Sequence, residues 1–314
     1  TVNSISSEGN QIVRTIKDSE NNIWSIGNFS DVLNFYNSSY TAYGGTDFFI
    51  AQLTESGNLT KMIVGSGSGS SFISDIAIDT SGNIFITGLF KGELNLLNTI
   101  LVNNSDYKVF LIKISNGQIV EQHVQLTSLF NIGNTPHITI DSDNNIVITG
   151  PFITTLTGEG INFTTPGVTN PSIYLIKYSQ QLLPLYTKAL MGTSSNTFIS
   201  TSIASDNNGN VYFTGTQRTG WYSSQPNCFL YKYDRNGNEV WNKSFASSSS
   251  VSNGKKVIVK GDFVTFISDF ELSGSRAYIN AYTLNGNEYL STSLVTGWAS
   301  LPIGLDIDMN ENGN

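Results

Sequence analysis

The chain has 314 residues, a formal net charge of -8 and a pI near 4.7, and only 13% of it is charged, against the roughly one quarter usual for soluble domains. Such a chain lacks the basic footprint that nucleic acid or an anionic membrane would demand, and no apolar run approaches the ~18 residues of a membrane span. Its single cysteine, Cys228, excludes an internal disulfide and, set in the apolar run Cys228-Phe-Leu-Tyr231, reads as a buried, inert thiol.

With no initiator Met and no signal peptide, the chain is expected to be processed or a fragment. Val2 to Ile5 read as a strand and Ser6 to Asn10 as the connection after it. The first turn then appears at Asp18-Ser-Glu-Asn-Asn-Ile-Trp-Ser-Ile-Gly27. The same phrase returns as Asp79-Thr-Ser-Gly-Asn-Ile-Phe-Ile-Thr-Gly88, Asp141-Ser-Asp-Asn-Asn-Ile-Val-Ile-Thr-Gly150 and Asp206-Asn-Asn-Gly-Asn-Val-Tyr-Phe-Thr-Gly215. Asp can bond its own downstream backbone and Gly takes the left-handed conformation cheaply, so each phrase predicts a turn feeding a β-branched, aromatic strand. A shortened copy runs over Lys260-Gly-Asp-Phe-Val-Thr-Phe-Ile-Ser268, and a last one starts at Asp308. Asn22, Asn83, Asn145 and Asn210 stand 61, 62 and 65 residues apart, a period that means a solenoid, an array or a propeller.

Each period holds four strand-like pieces, in the second unit Ile73 to Ile78, Ile84 to Gly88, Val109 to Ile114 and Ile119 to Leu126. The third piece recurs as Phe48-Phe-Ile-Ala-Gln-Leu53, Val109-Phe-Leu-Ile-Lys-Ile114, Ile173-Tyr-Leu-Ile-Lys-Tyr178, Cys228-Phe-Leu-Tyr-Lys-Tyr233 and Ala277-Tyr-Ile-Asn-Ala-Tyr282. A second turn follows it, as in Asp234-Arg-Asn-Gly-Asn238 and Leu284-Asn-Gly-Asn287, and Asn-Gly between strands is a strong hairpin signal. A repeated four-stranded meander predicts an all-β fold, a β-propeller of four-stranded antiparallel blades. Residues 1–314 then form one domain with units near 11–71, 72–134, 135–198, 199–253 and 254–302. Five units are complete; residues 1–10 and 303–314 supply parts of a split, incomplete last blade.

The order Asp-x-x-Gly-Asn-Ile-x-x-Thr-Gly, then an aromatic-rich strand ending in Lys-hydrophobic, then Gly237-Asn-Glu-Val-Trp241, resembles the bacterial SBBP (seven-bladed β-propeller) repeat family over nearly the whole chain. The third and fifth units are degenerate copies. The resemblance implies a propeller in a secreted or surface-attached bacterial protein and carries over no catalytic residue. The expected partner is another protein, or the missing part of its own chain, completing the last blade.

In such a meander the two short turns of each unit share one face, and the long loops 29–46, 89–107, 151–171, 216–227 and 269–275 share the other with the connections 65–71 and 296–302. Binding residues concentrate on long loops, and Tyr36, Tyr40, Tyr43, Trp221, Tyr222 and Trp298 are the ligand-binding candidates, flat rings beside Asn, Ser and Gly that suit a protein or a glycan. Trp24 and Trp241 lie in strands and read as core.

No catalytic set emerges. His123 and His137 are the only histidines and fall in strands, with no Gly-x-Ser-x-Gly nearby. The acids Asp31, Asp47, Glu93, Asp106, Glu159, Asp269 and Glu271 would serve a glycosidase only as a facing pair. Gly65 to Gly69 has no following helix and reads as a flexible connection rather than a phosphate cradle. Asp141-x-Asp143-x-Asn145 and Asp308-x-Asn310-x-Asn312 echo half a calcium loop, but no bidentate Glu follows in the first. No metal or cofactor is therefore expected. The reading is a non-enzymatic protein-binding or structural module, with a lectin-like propeller as first alternative and a glycosidase as second.

Overall fold

A computed structural model describes residues 10–295 apart from 98, 129–134, 159–160, 165–170, 194–195, 220–225, 246–250 and 273. The fold is all-β, a propeller of five four-stranded antiparallel blades. The expected split blade, residues 1–10 and 303–314, lies outside the described residues apart from Asn10. The chain divides into two compact units, 1–130 with 156–162, and 131–155 with 163–314.

In the first unit, blade 1 consists of β1 (Gln11–Lys17), β2 (Ile23–Phe29), a small hairpin of β3 (Val32–Phe35) and β4 (Ser38–Thr41), then β5 (Asp47–Leu53) and β6 (Leu59–Gly65). Its sheet order is β1-β2-β5-β6. Blade 2 is the meander β7 (Ser70–Ile78), β8 (Ile84–Leu96), β9 (Thr99–Ser115) and β10 (Gln118–Ser128). Strand β5 shows why the repeat's third piece is apolar throughout rather than alternating: both of its faces are covered. Phe48 and Ile50 point into the core shared with Ile76, Ile86, Phe110 and Ile112 of blade 2. Phe49 and Ala51 point the other way, into a second core with Phe29 and Leu33.

That second core departs from the expected long loop. Residues 29–46 fold as the β3–β4 hairpin, pairing Val32 with Thr41 and Phe35 with Ser38, and lay Leu33, Phe35 and Tyr40 over the outer face of blade 1. The physical reason is the alternation Leu33, Phe35 against Asn34, which the period-2 rule recognises as a half-buried strand. Residues 89–107 depart in the same way. Strands β8 and β9 run on past the blade, with a register shift between Phe90 and Gly92, and Leu94, Leu96 and Leu101 return to the core. The connection 65–69 is likewise packed rather than free: Ser66 pairs with Asn95, and a Cβ on Gly67 or Gly69 would collide with the Glu93 or Lys91 carbonyl. Close backbone approach, not flexibility, explains these glycines.

Blade 3 is β11 (His137–Ile140), β12 (Ile146–Gly158), the short β13 (Ile161–Thr164), β14 (Ser172–Tyr178) and β15 (Pro184–Leu190), and belongs to the second unit except for residues 156–162. Blade 4 is β16 (Asn196–Ser205), β17 (Val211–Thr219), β18 (Asn227–Tyr233) and β19 (Glu239–Phe245). Blade 5 is β20 (Val251–Lys260), β21 (Phe263–Leu272), β22 (Gly274–Thr283) and β23 (Glu288–Val295). The expected loops 216–227 and 269–275 are shortened by strand, since β17, β21 and β22 extend into them. Cores between blades 3 and 4 and between 4 and 5 are built on Phe213, Phe229 and Ile203, and on Tyr212, Leu230 and Phe266.

Every outer strand carries a β-bulge at one fixed place. In β6, Gln52 opposes Lys61 and Leu53 opposes Leu59, leaving Thr60 unpaired. The same shift leaves out Val120 in β10, Leu185 in β15, Val240 in β19 and Tyr289 in β23. A bulge re-aims its extra residue, and these point to solvent, with Val120 49%, Leu185 54%, Val240 52% and Tyr289 67% exposed.

Candidate functional site

The aromatic candidates do not share one surface. Tyr36 sits at the tip of the β3–β4 hairpin with φ 54°, is exposed, and donates its hydroxyl to the Gly57 carbonyl. Tyr40 packs on the core of the capped face. Tyr43 lies beyond the other end of the hairpin, exposed, its amide bonded to Asp47 at 2.7 Å. Trp221, Tyr222 and Trp298 lie outside the described residues. Trp24 is core, as expected, and Trp241 packs half-buried on the core of blades 4 and 5. Cys228 is fully buried, and burial pushes its thiol up to about 11.

The acids are placed as follows. Asp269 pairs with Lys255 at 3.0 Å, and Asp106 with Lys91 at 3.8 Å. Glu159 lies outside the described residues. Asp47 is wholly buried with one oxygen lacking a hydrogen-bond partner. Burial raises its carboxyl to about 6, against the pull of hydrogen bonds from the Tyr43 and Gly67 amides.

The short turns carry the most developed polar chemistry. The first turns of blades 1 to 4 are each closed by an Asp: the backbone of Asp79 bonds Asn83 and Gly82, while Oδ1 accepts the Ser81 and Asn83 amides at 2.9 and 2.8 Å and Oδ2 the Asn83 side chain at 2.7 Å. Asp18, Asp141 and Asp206 repeat it. The fourth residue takes positive φ: 77° at Gly82 and Gly209, 65° and 59° at Asn21 and Asn144, and Asn tolerates that region. The Asp141 and Asp143 carboxylates, read above against a calcium loop, are engaged by the turn, by Lys177 and by Arg235. The copy at Asp308 lies outside the described residues.

Sequence reasoning missed the partner of these carboxylates. Lys177, set in a strand whose every residue is buried, places Nζ 2.5 Å from Asp141 Oδ2 and donates to the Arg235 carbonyl at 3.1 Å. Arg235 belongs to the second turn of blade 4, so the lysine ties one blade's first turn to its neighbour's second. In blade 4, Lys232 donates to the Leu284 carbonyl in blade 5 at 2.7 Å and lies 5.3 Å from the Tyr212 ring. Burial pulls its ammonium down while Asp206 pushes it back up. The available signal was a charged residue at one fixed register of an apolar strand, Lys113, Lys177 and Lys232, beside a recurring Asp.

Blade 1 has Gln52 at that register, and a cleft of about 290 Å³ opens there. It is lined by Asp18, Glu20 and Trp24 of blade 1, Gln52 and Lys61, and both turns of blade 2, including Ser81, Gly82, Asn116 and Gly117. Asp18 is half-buried, whereas Asp79, Asp141 and Asp206 are 4 to 6% exposed. Its Oδ2 accepts the Trp24 indole N–H at 2.9 Å. Burial raises the Asp18 carboxyl, and hydrogen bonds from Trp24, Asn22 and Glu20 outweigh it, so it lies below its usual value. Among the described residues no basic side chain forms an ion pair with it; Lys61 instead rests over the Trp24 ring, 5.9 Å from its centroid.

Repeated blades and engaged turns define a β-propeller. No protein-family model matches the chain, and no curated protein matches it. Among solved structures, two variants of Synechocystis apocarotenoid oxygenase are 11% and 12% identical, cover 92% and 93% of this chain and both have a TM-score of 0.46. In each case the alignment spans 66% of the oxygenase chain. A eukaryotic initiation factor is 9% identical over 92% of this chain and 96% of its own, with a TM-score of 0.27.

Proposed function

We propose that this propeller is a non-enzymatic protein-binding or structural module of a secreted or cell-surface bacterial protein. The observation that supports it is the bulged outer strand. Bulges ordinarily blunt an edge against unwanted pairing, and a polar residue there, as at Thr60, serves that purpose. Val120, Leu185, Val240 and Tyr289 instead display exposed apolar side chains at the bulge. Leu185, Val240 and Tyr289 belong to three successive blades of one compact unit, which suits a partner that contacts several blades at once, and tyrosine is among the side chains that anchor protein interfaces.

The test is a photo-cross-linking residue placed singly at each of the four positions, and at Ser81 as control, in cells making the whole protein. Discrete adducts at two or more bulge positions and none at Ser81 are expected. No adduct at any bulge position, or equal labelling at Ser81, contradicts the reading. Digestion by protease added to intact cells checks the surface location.

A further inference from the structure

We propose that the cleft beside Gln52 is a binding site for a primary ammonium group. The molecule shows the filled version of this site. In blade 3 the Lys177 Nζ lies on the first-turn carboxylate of Asp141, on the Arg235 carbonyl of the neighbouring blade's second turn and 5.8 Å from the Tyr186 ring centroid; in blade 4 the Lys232 Nζ keeps the second-turn carbonyl and lies 5.3 Å from the Tyr212 ring centroid, within the field of Asp206. An ammonium has three donors and no acceptor, so carboxylate, carbonyl and ring face together satisfy it.

Blade 1 keeps the setting, with Lys61 over the Trp24 ring, and leaves the Asp18 carboxylate without an ammonium partner among the described residues. Asp18 presents the carboxylate, Trp24 stands where blade 4 has Tyr212, and the second turn of blade 2 contributes Asn116 and Gly117. Gln52 is shorter than lysine and uncharged. Glu20 adds a second negative charge at the rim, and Lys61 lies on the indole without pairing with Asp18. Trp24 is the strongest cation-binding ring among the side chains. The guest is a lysine side chain of a partner protein or a free diamine; both carry the same group on a flexible alkyl stem. None of the four apolar bulge residues lines the cleft, so either reading can fail without the other.

The experiment follows the Trp24 indole N–H by NMR while the protein is titrated with 1,5-diaminopentane, Nα-acetyl-lysine methylamide, or the latter's Nε-acetylated form. The first two are expected to shift the resonance saturably and the third to leave it in place. Gln52→Lys, which supplies its own ammonium, is expected to weaken binding at least tenfold and to raise Tm; Asp18→Asn, which keeps the turn's acceptor oxygen but not the charge, is expected to weaken it similarly. Tighter binding of the lysine amide assigns the site to a partner protein, and tighter binding of the diamine to a free amine. No saturable shift in the unmodified protein, an equal shift with the acetylated form, or undiminished binding by both folded variants overturns the proposal.

Discussion

Blades 1 and 3 place the same turn in two different settings. In blade 3 the turn carboxylate is buried under Lys177, whose ammonium also reaches the next blade. In blade 1 the same carboxylate meets an uncharged Gln52 and an open cleft. The turn itself is unchanged, with matching backbone and side-chain bonds, so the Asp-x-x-x-Asn phrase folds without help from the lysine. The lysine is therefore an inter-blade tie added to a self-sufficient turn, and its absence leaves recognition chemistry unused by the fold.

The largest expected effect comes from breaking the tie. Lys177→Met leaves the buried Asp141 carboxylate with its turn hydrogen bonds but without its counter-charge, which costs on the order of 3–5 kcal/mol; chemical denaturation of the variant measures it. Asp47→Asn comes next, and its sign is set by pH. A carboxyl raised to about 6 in the folded state and near its ordinary value when unfolded holds its proton better when folded. It therefore supports the fold below pH ~4 and loses that support as pH rises from about 4 to about 6. The variant is expected to be more stable than the parent by about 1–3 kcal/mol at pH 7.5, with the difference gone by pH 4. Thermal melts across that range check it, and a gain that grows toward acid would contradict it.

Asp18→Asn is expected to cost about 1 kcal/mol, well below the loss at Lys177, because no buried cation is orphaned. Lys17→Ala sets the floor: its pair with Glu55 joins side chains that are 50% and 70% exposed, and such pairs are worth about 0–1 kcal/mol. An equal loss at Lys17 and Lys177 would erase the distinction between surface pair and buried tie.

The repeat, its strands and both turns were legible because the rules involved are local: Asp and Gly choose the turn, and β-branched and aromatic residues the strand. The hairpin 32–41 is also written locally, in the alternation of Leu33 and Phe35, but a long interval between two blade strands carries the signature of a loop by its position alone. The Lys177–Asp141 tie was beyond local rules. Its residues are 36 positions apart, and meeting requires the pairing of β12 with β14 that places Ile146 opposite Tyr178. The cleft was less legible still, since it is defined by what blade 1 lacks relative to blades 3 and 4. Of the predicted aromatics, Tyr40 was drawn inward because strand alternation gives each residue a face, which loop composition does not encode.

The most direct test is a pair of double-mutant cycles, one on Lys177 and Asp141 and one on Gln52 and Asp18. The account predicts a coupling of about 2 kcal/mol or more in the first and no more than about 0.5 kcal/mol in the second. Additive losses at Lys177 and Asp141, or equal couplings in the two blades, would contradict it.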